Sequence, residues 1–235
     1  MRPWQLEKHY VQSIILGLLS DFSVAFKGGT YLWFFHGLKR FSEDLDFTAT
    51  GNLASDIGQY VSKGVSLYGM ENELKLLHNN QRSLSFRIIA NGPLNTGLKD
   101  RCVVYVEISK RERVLDDMIP LRLDTPEYQL PVKRLLGFSL DEVGSEKVRA
   151  ILTRKKARDI YDLHYLVTVK KITLRLDMVQ EKLRYYEKRF SPEEFVQEVA
   201  SRQHTLRKEL NGLIFDHIPD PSSVVESLTA WVKPD

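Results

Sequence analysis

Between Gln5 and Leu19 the chain carries apolar residues at Leu6, Tyr10, Ile14, Ile15, Leu18 and Leu19, among others. That spacing predicts a helix with one buried stripe. Val24 to Phe26 is a short apolar run that stops at Gly28-Gly29, which predicts a strand ending in a tight turn. Thr30 to Gly37 supplies a leucine and aromatics for a short helix, Leu45 to Phe47 opens the next strand, and Asn52 to Leu67 suits a further helix. Glu73–Leu77, Ser83–Ala90 and Arg101–Ser109 alternate or run continuously apolar with β-branched content, which predicts three strands. The connection NGPLNTG is a loop by composition. Asp124-Thr-Pro and Leu130-Pro131 mark turns with a short strand expected between them. From Val132 onward helical periodicity takes over, with segments near 133–138, 141–153, 156–168, 174–188, 192–211 and 222–232. Ser191-Pro192 is a helix start, with serine as cap and proline at the first helical position. The pattern predicts an α+β chain: a mixed α/β part over 1–131, then a helical part over 132–235.

Bulk properties change this picture little. The chain has 235 residues, 43% apolar and 28% charged, which permits one large domain or two small ones. A net charge of +3 argues for no particular partner. Local charge says more. Lys133, Arg134, Lys147, Arg149, Arg154, Lys155, Lys156 and Arg158 outnumber Asp141, Glu142, Glu146 and Asp159 in the same span. Such a segment is either a solvated helix face or a surface that attracts phosphates. The single cysteine, Cys102, lies in an apolar run and rules out an intrachain disulfide. The N-terminus lacks the apolar stretch of a signal peptide, so a cytoplasmic protein is expected. The six histidines have no metal-ligand spacing.

Candidate chemistry starts in RFSEDLDF. In a strand, residues i and i+2 share a face, so Asp44 and Asp46 project together while Leu45 and Phe47 point into the core. Two like charges side by side need a cation or solvent. A divalent ion such as Mg²⁺, held by a few carboxylates plus water and phosphate oxygens, meets that need. Glu107, between Val106 and Ile108, is a candidate third ligand. Gly28-Gly29-Thr30 stands between a strand and a helix, where glycine admits close backbone approach and a helix N-terminus offers free N–H groups to an anion. Each feature alone has an ordinary explanation: a solvated loop end, an edge-strand acid, a turn. Their order along the chain favours chemistry. Arg40 is either an ion-pair partner for Asp44 or a phosphate contact. Asp159 and Asp162, three apart on a predicted helix, share a face with which Lys147 on the preceding helix can pair.

KGGTYLWF and KRFSEDLDF resemble the first motif of the nucleotidyltransferase superfamily in its AbiEii/AbiGii toxin-like branch, and EKVRAILTRKKARDIYDLHYL, Glu146 to Leu166, resembles that branch's last motif. The resemblance implies a polymerase-β-like nucleotidyltransferase fold, a small mixed sheet flanked by helices, followed by a helical domain that adds Lys147 and RDIYD to the cleft. It implies transfer of a nucleotide from an NTP to an acceptor, with tRNA 3′ ends as acceptors and roles in type IV toxin–antitoxin systems or phage defence, where an antitoxin need not touch the toxin. It implies Asp44 and Asp46 as the metal-binding pair, Glu107 less firmly as third acid, Gly29 and Thr30 at the triphosphate, Lys147 neutralising it, and Asp159 and Asp162 as the acids of the last motif. Thr30 stands where many relatives carry serine, which keeps the hydroxyl.

Three other readings remain open from the residues. A small hydroxyl compound such as an aminoglycoside is an alternative acceptor, although the basic segment suits RNA better. A nucleotide-binding protein without catalysis needs no intact acids, yet all are present. A metal-dependent nuclease would also place acids on strands, but has no evident use for the GGT turn.

Overall fold

Residues 102–109 alternate in burial: Cys102, Val104, Val106 and Ile108 are buried, while Val103 is exposed and Tyr105 and Glu107 are half-buried. A strand with one face in a core gives this pattern. The computed structural model describes residues 1–233, which divide into two units. The first comprises Met1–His36 and Phe41–Phe138, the second Gly37–Arg40 and the residues from Ser139 onward.

In chain order the first unit contains α1 (Pro3–Leu19), β1 (Val24–Lys27), α2 (Gly28–His36), β2 (Asp44–Ala49), α3 (Ile57–Leu67), β3 (Asn72–Asn79), β4 (Ser83–Ala90), β5 (Cys102–Ser109), β6 (Ile119–Leu123) and β7 (Lys133–Gly137). Pro3 opens α1, where its missing N–H costs nothing, and the Arg2 N–H donates to Gln5 Oε1 at 2.8 Å. The strands form one mixed sheet in the order β3-β4-β5-β2-β1-β7-β6. β2 runs parallel to β5, and β1 parallel to β7; the other neighbours are antiparallel. Leu45, Phe47, Phe86, Ile88, Val104 and Val106 are buried with essentially no exposure. Phe26 on β1 joins this face, stacking 4.8 Å from Phe47 and meeting Tyr31 and Phe35 of α2. α3 covers the same face at Gly58, which lies against Leu74, the β3 partner of Ile88.

Two sequence expectations are corrected here. Residues 133–138 are a strand and its exit, not a helix. Lys133, Arg134, Leu135, Leu136 and Gly137 alternate in burial, with Leu136 42% exposed. The doublet Leu135-Leu136 therefore mimics a helical stripe although its members point to opposite faces. The strand expected between Asp124 and Pro131 is a 3-10 turn, Pro126–Tyr128, and the strand lies just before it as β6.

The second unit contains α4 (Leu140–Thr153), α5 (Ala157–Thr168), α6 (Leu176–Arg184), α7 (Pro192–Ser201), α8 (Gln203–Leu210) and α9 (Pro221–Val232). Side-chain caps start three of them. Ser139 Oγ accepts from the Glu142 N–H and Ser191 Oγ from the Glu194 N–H, each at 3.2 Å, and the Asp220 carboxylate accepts from the Ser222 N–H at 3.1 Å. The single helix expected over 192–211 is two, broken at Arg202. That side chain turns inward and donates from Nη2 to the Ile151 carbonyl of α4 at 2.7 Å. Among the described residues no helix is long and apolar enough to cross a membrane.

Candidate functional site

Strand register builds the candidate site in rows across the face of the sheet opposite the core. Residues paired across neighbouring strands point the same way. One row runs Lys27 (β1), Asp46 (β2), Glu107 (β5), Ser85 (β4). The row beside it runs Asp44 (β2), Tyr105 (β5), Arg87 (β4), Lys75 (β3). Asp44 and Asp46 are both half-buried on this face, with Leu45 and Phe47 buried on the other. Strand spacing of about 4.8 Å puts Glu107 next to Asp46. The Glu107 carboxylate accepts from the Tyr105 hydroxyl at 3.2 Å. Burial pushes the Tyr105 phenol pKa up, and the Glu107 carboxylate adds to it. On the next row, the paired Thr48 and Ser109 have buried hydroxyls with no hydrogen-bond partner among the described residues.

The glycine turn is fitted to Asp46. Gly28 takes φ +82°, and a Cβ built there would lie 2.5 Å from Asp46 Oδ2 and 3.0 Å from its Cβ. The carboxylate thus occupies the space a side chain at position 28 would need. α2 begins at Gly28 itself, so the glycines form its first turn, where N–H groups lack intrahelical acceptors. Thr30 is fully buried, and its hydroxyl donates to the Asp44 carbonyl at 2.5 Å. That bond ties α2 to the strand bearing the acids. Lys27, 7% exposed, reaches Glu112 at 3.2 Å and lies over the Phe138 ring. Its place in the acid row is a feature that sequence reading passed over; the signal was its position on a strand immediately before the glycines.

Among the described residues no three His, Cys, Asp or Glu side chains converge as a metal cage. Mg²⁺ rarely uses one, preferring one or two carboxylates with water and phosphate oxygens. Asp44 and Asp46 on one face, with Asp46 against the turn that exposes N–H groups, offer a donor set of that kind.

The other candidates lie in the second unit. Asp162 is fully buried and holds Arg40 through two hydrogen bonds, Nε to Oδ1 at 2.8 Å and Nη2 to Oδ2 at 2.9 Å. Lys147 Nζ is 3.0 Å from Asp159 Oδ1 and 2.6 Å from Asp162 Oδ2. Arg154 completes the cluster on Asp159 at 2.8 and 2.9 Å. Burial pushes the Asp159 carboxyl up, but Lys147 and Arg154 outweigh it and hold the pKa well below the usual range. Arg40 and Lys147 do the same for Asp162. Asp162 as the partner of Arg40 was not foreseen from sequence, because 122 residues separate them.

The sequence profile described as nucleotidyl transferase AbiEii toxin, type IV toxin–antitoxin system, matches residues 19–230. No curated protein sequence matches the chain. Among solved structures, a provisionally assigned nucleotidyltransferase from H. pylori aligns over 99% of this chain and 94% of its own, at TM-score 0.69 and 21% identity. JHP933 from Helicobacter pylori aligns over 99% and 91%, at TM-score 0.66 and 20% identity. MenT4, a nucleotidyltransferase toxin from Mycobacterium tuberculosis H37Rv, aligns over 99% and 95%, at TM-score 0.58 and 19% identity. At these identities the structures establish a shared fold, and the profile, which spans most of the chain, establishes descent. The chain belongs to the AbiEii toxin family of nucleotidyltransferases, from type IV toxin–antitoxin systems.

Proposed function

We propose that this protein moves a nucleotide monophosphate from a Mg²⁺-bound NTP to a hydroxyl of an RNA acceptor, most simply a tRNA, and acts as the toxin of a toxin–antitoxin pair. One observation carries the reading: Asp46 is packed into the gap left by Gly28, with Asp44 on the same strand face and an open helix turn at the same glycine. Carboxylates and free N–H groups are brought together where an NTP needs both a cation and backbone donors. Asp44 and Asp46 would hold the divalent ion, with Glu107 as the neighbouring third acid. When bound, that ion would neutralise phosphate charge and favour in-line displacement.

The chain's own groups do the rest. The N–H groups at Gly28 and Gly29 bind phosphate oxygens, and the buried Thr30 hydroxyl keeps that turn in register with β2. Within the second unit, Lys147 is held by Asp159 and Asp162 at 3.0 and 2.6 Å. In the reaction an acceptor hydroxyl oxygen bonds to the α-phosphorus. The bond from that phosphorus to the bridging oxygen breaks, pyrophosphate leaves with the electron pair, and the hydroxyl proton passes to water. RNA is favoured over a small cationic acceptor by Lys155 and Lys156, which stand exposed.

The test is incubation with each labelled NTP, Mg²⁺ and total tRNA. Label appears on RNA with the wild-type protein and falls by about 10²-fold or more with Asp46→Ala, as expected when an electrostatic anchor of the transition state is removed. In cells, induced expression slows growth and Asp46→Ala relieves it. Undiminished labelling by the variant would remove Asp46 from the site, and label on no RNA would count against the acceptor.

A further inference from the structure

The row that starts at Asp44 continues away from the acids. An open groove of about 660 Å³ beside Asp44 is lined by Tyr105, Arg87, His78, Leu77 and Lys8, among others. Every lining residue lies in the first unit. Tyr105 is paired with Asp44, Arg87 with Tyr105, and Lys75 with Arg87. At about 4.8 Å per strand, the two cations stand roughly 10 and 14 Å from Asp44 along one line. Arg87 lines the groove and Lys75, its β3 partner, lies just beyond the lining; both are exposed, and neither has an ion-pair partner among the described residues. Of the other charges here, Lys8 and Glu43 neutralise each other at 2.7 Å. The groove thus presents a half-buried aromatic ring next to the acids and unpaired positive charge farther out. Single-stranded nucleic acid is bound by that combination, bases stacking on aromatics and phosphates meeting cations.

We propose that this groove receives the acceptor as a single-stranded RNA end. The terminal base stacks on Tyr105, which places its ribose hydroxyls beside Asp44. The preceding phosphates lie on Arg87 and then Lys75. A small-molecule acceptor would have no use for cations so far from the acids. The proposal rests on the RNA-acceptor reading above and adds the surface that performs it.

The test is binding of a fluorescent single-stranded RNA, followed by anisotropy across salt concentrations, beside transfer to the same RNA. Arg87→Gln and Lys75→Gln alter exposed side chains, so folding is preserved. Each lowers the slope of log K against log salt by about 0.7, the double variant by about 1.4, as loss of one phosphate contact per cation requires for single strands. Acceptor KM rises while NTP KM is unchanged. Tyr105→Leu weakens RNA binding by about 5- to 100-fold and Tyr105→Phe does not, since stacking needs the ring and not the hydroxyl. If wild-type protein labels the RNA but the double variant keeps the wild-type slope, the groove is overturned and the reaction stands. Equal damage from Tyr105→Phe and Tyr105→Leu would overturn stacking, leaving the hydroxyl bond to Glu107 as the role of Tyr105. If wild-type protein labels only small hydroxyl compounds, the RNA acceptor falls and the groove with it.

Discussion

A methyl group at position 28 has nowhere to go. It would meet the Asp46 carboxylate at 2.5 Å, on a backbone with φ +82°. Gly28→Ala therefore costs about 1–2 kcal/mol for the left-handed conformation alone. It also displaces Asp46, so activity should fall further than stability, as paired thermal melts and transfer assays would reveal. The Arg40–Asp162 pair is a different kind of constraint. With side chains 2% and 0% exposed, neither charge has water to fall back on. Asp162→Ala leaves Arg40 and Lys147 buried with too little countercharge and should cost about 3–5 kcal/mol by denaturant unfolding. Because Asp159 and Asp162 titrate below their ordinary range in the folded state, their stabilisation is complete above the unfolded-state value of about 3.9 and is lost as pH falls below it. The melting-temperature gap between wild type and Asp162→Ala should be constant from about pH 8 to 5 and narrow below about pH 4. At this scale the sequence was informative where chemistry is local. Asp44 and Asp46 share a face because they are two apart on a strand, and RDIYD aligns two acids because they are three apart on a helix. The partner of Arg40 was not legible, since burial alone brings it to Asp162.

The strand β7 explains what pattern reading misses at the level of elements. Its parallel partner β1 lies more than a hundred residues upstream, so no hairpin signal joins them. Its doublet Leu135-Leu136 breaks the alternation a strand would advertise. Structure recovers the alternation: Leu135 is buried and Leu136 exposed. Gly137 then passes so close to α2 and β6 that an added Cβ would sit 2.6 Å from Tyr31 Cε2 and 2.7 Å from Leu121 Cδ1. Gly137→Ala should cost about 1–3 kcal/mol through overpacking, measured by denaturant unfolding. The prediction separates strand from helix, because alanine in an exposed helix would stabilise instead. The break at Arg202 was hidden for a related reason: the side chain there hydrogen-bonds a carbonyl on another helix, a contact that local periodicity does not record. Strands β4 and β5 and helices α5 and α9 were legible because period and burial agree in each; α1 was legible as a helix, but not by a single buried stripe, since Leu6 is 44% exposed while Gln5, Glu7 and Gln12 are buried.

Across the whole molecule, chain order and structural membership part company. Gly37–Arg40 belongs to the helical unit although it lies between two stretches of the other unit. The Phe215 N–H donates to the Lys39 carbonyl at 3.0 Å, and Arg40 binds Asp162. Residues 139–235 expressed alone therefore lose Arg40, one of the two cations that hold the buried Asp162 carboxylate, and keep Lys147. Circular dichroism should find that fragment unfolded or melting well below the intact chain. A boundary near residue 131 was what sequence offered, from the onset of helical periodicity; the first unit continues to Phe138 because β7 completes its sheet. The family motifs were legible at both ends of this arrangement, and the fold they implied is the fold observed, whereas the segment returned to the helical unit carries no local signature. The account as a whole turns on Asp44 and Asp46 as joint holders of a metal-bound NTP. The direct measurement is Mn²⁺ binding by electron paramagnetic resonance in the presence of a non-hydrolysable NTP analogue, comparing wild type with Asp44→Asn/Asp46→Asn. The wild-type protein should bind the ion and the variant, folded by circular dichroism, should leave it free; equal binding by both would contradict the account.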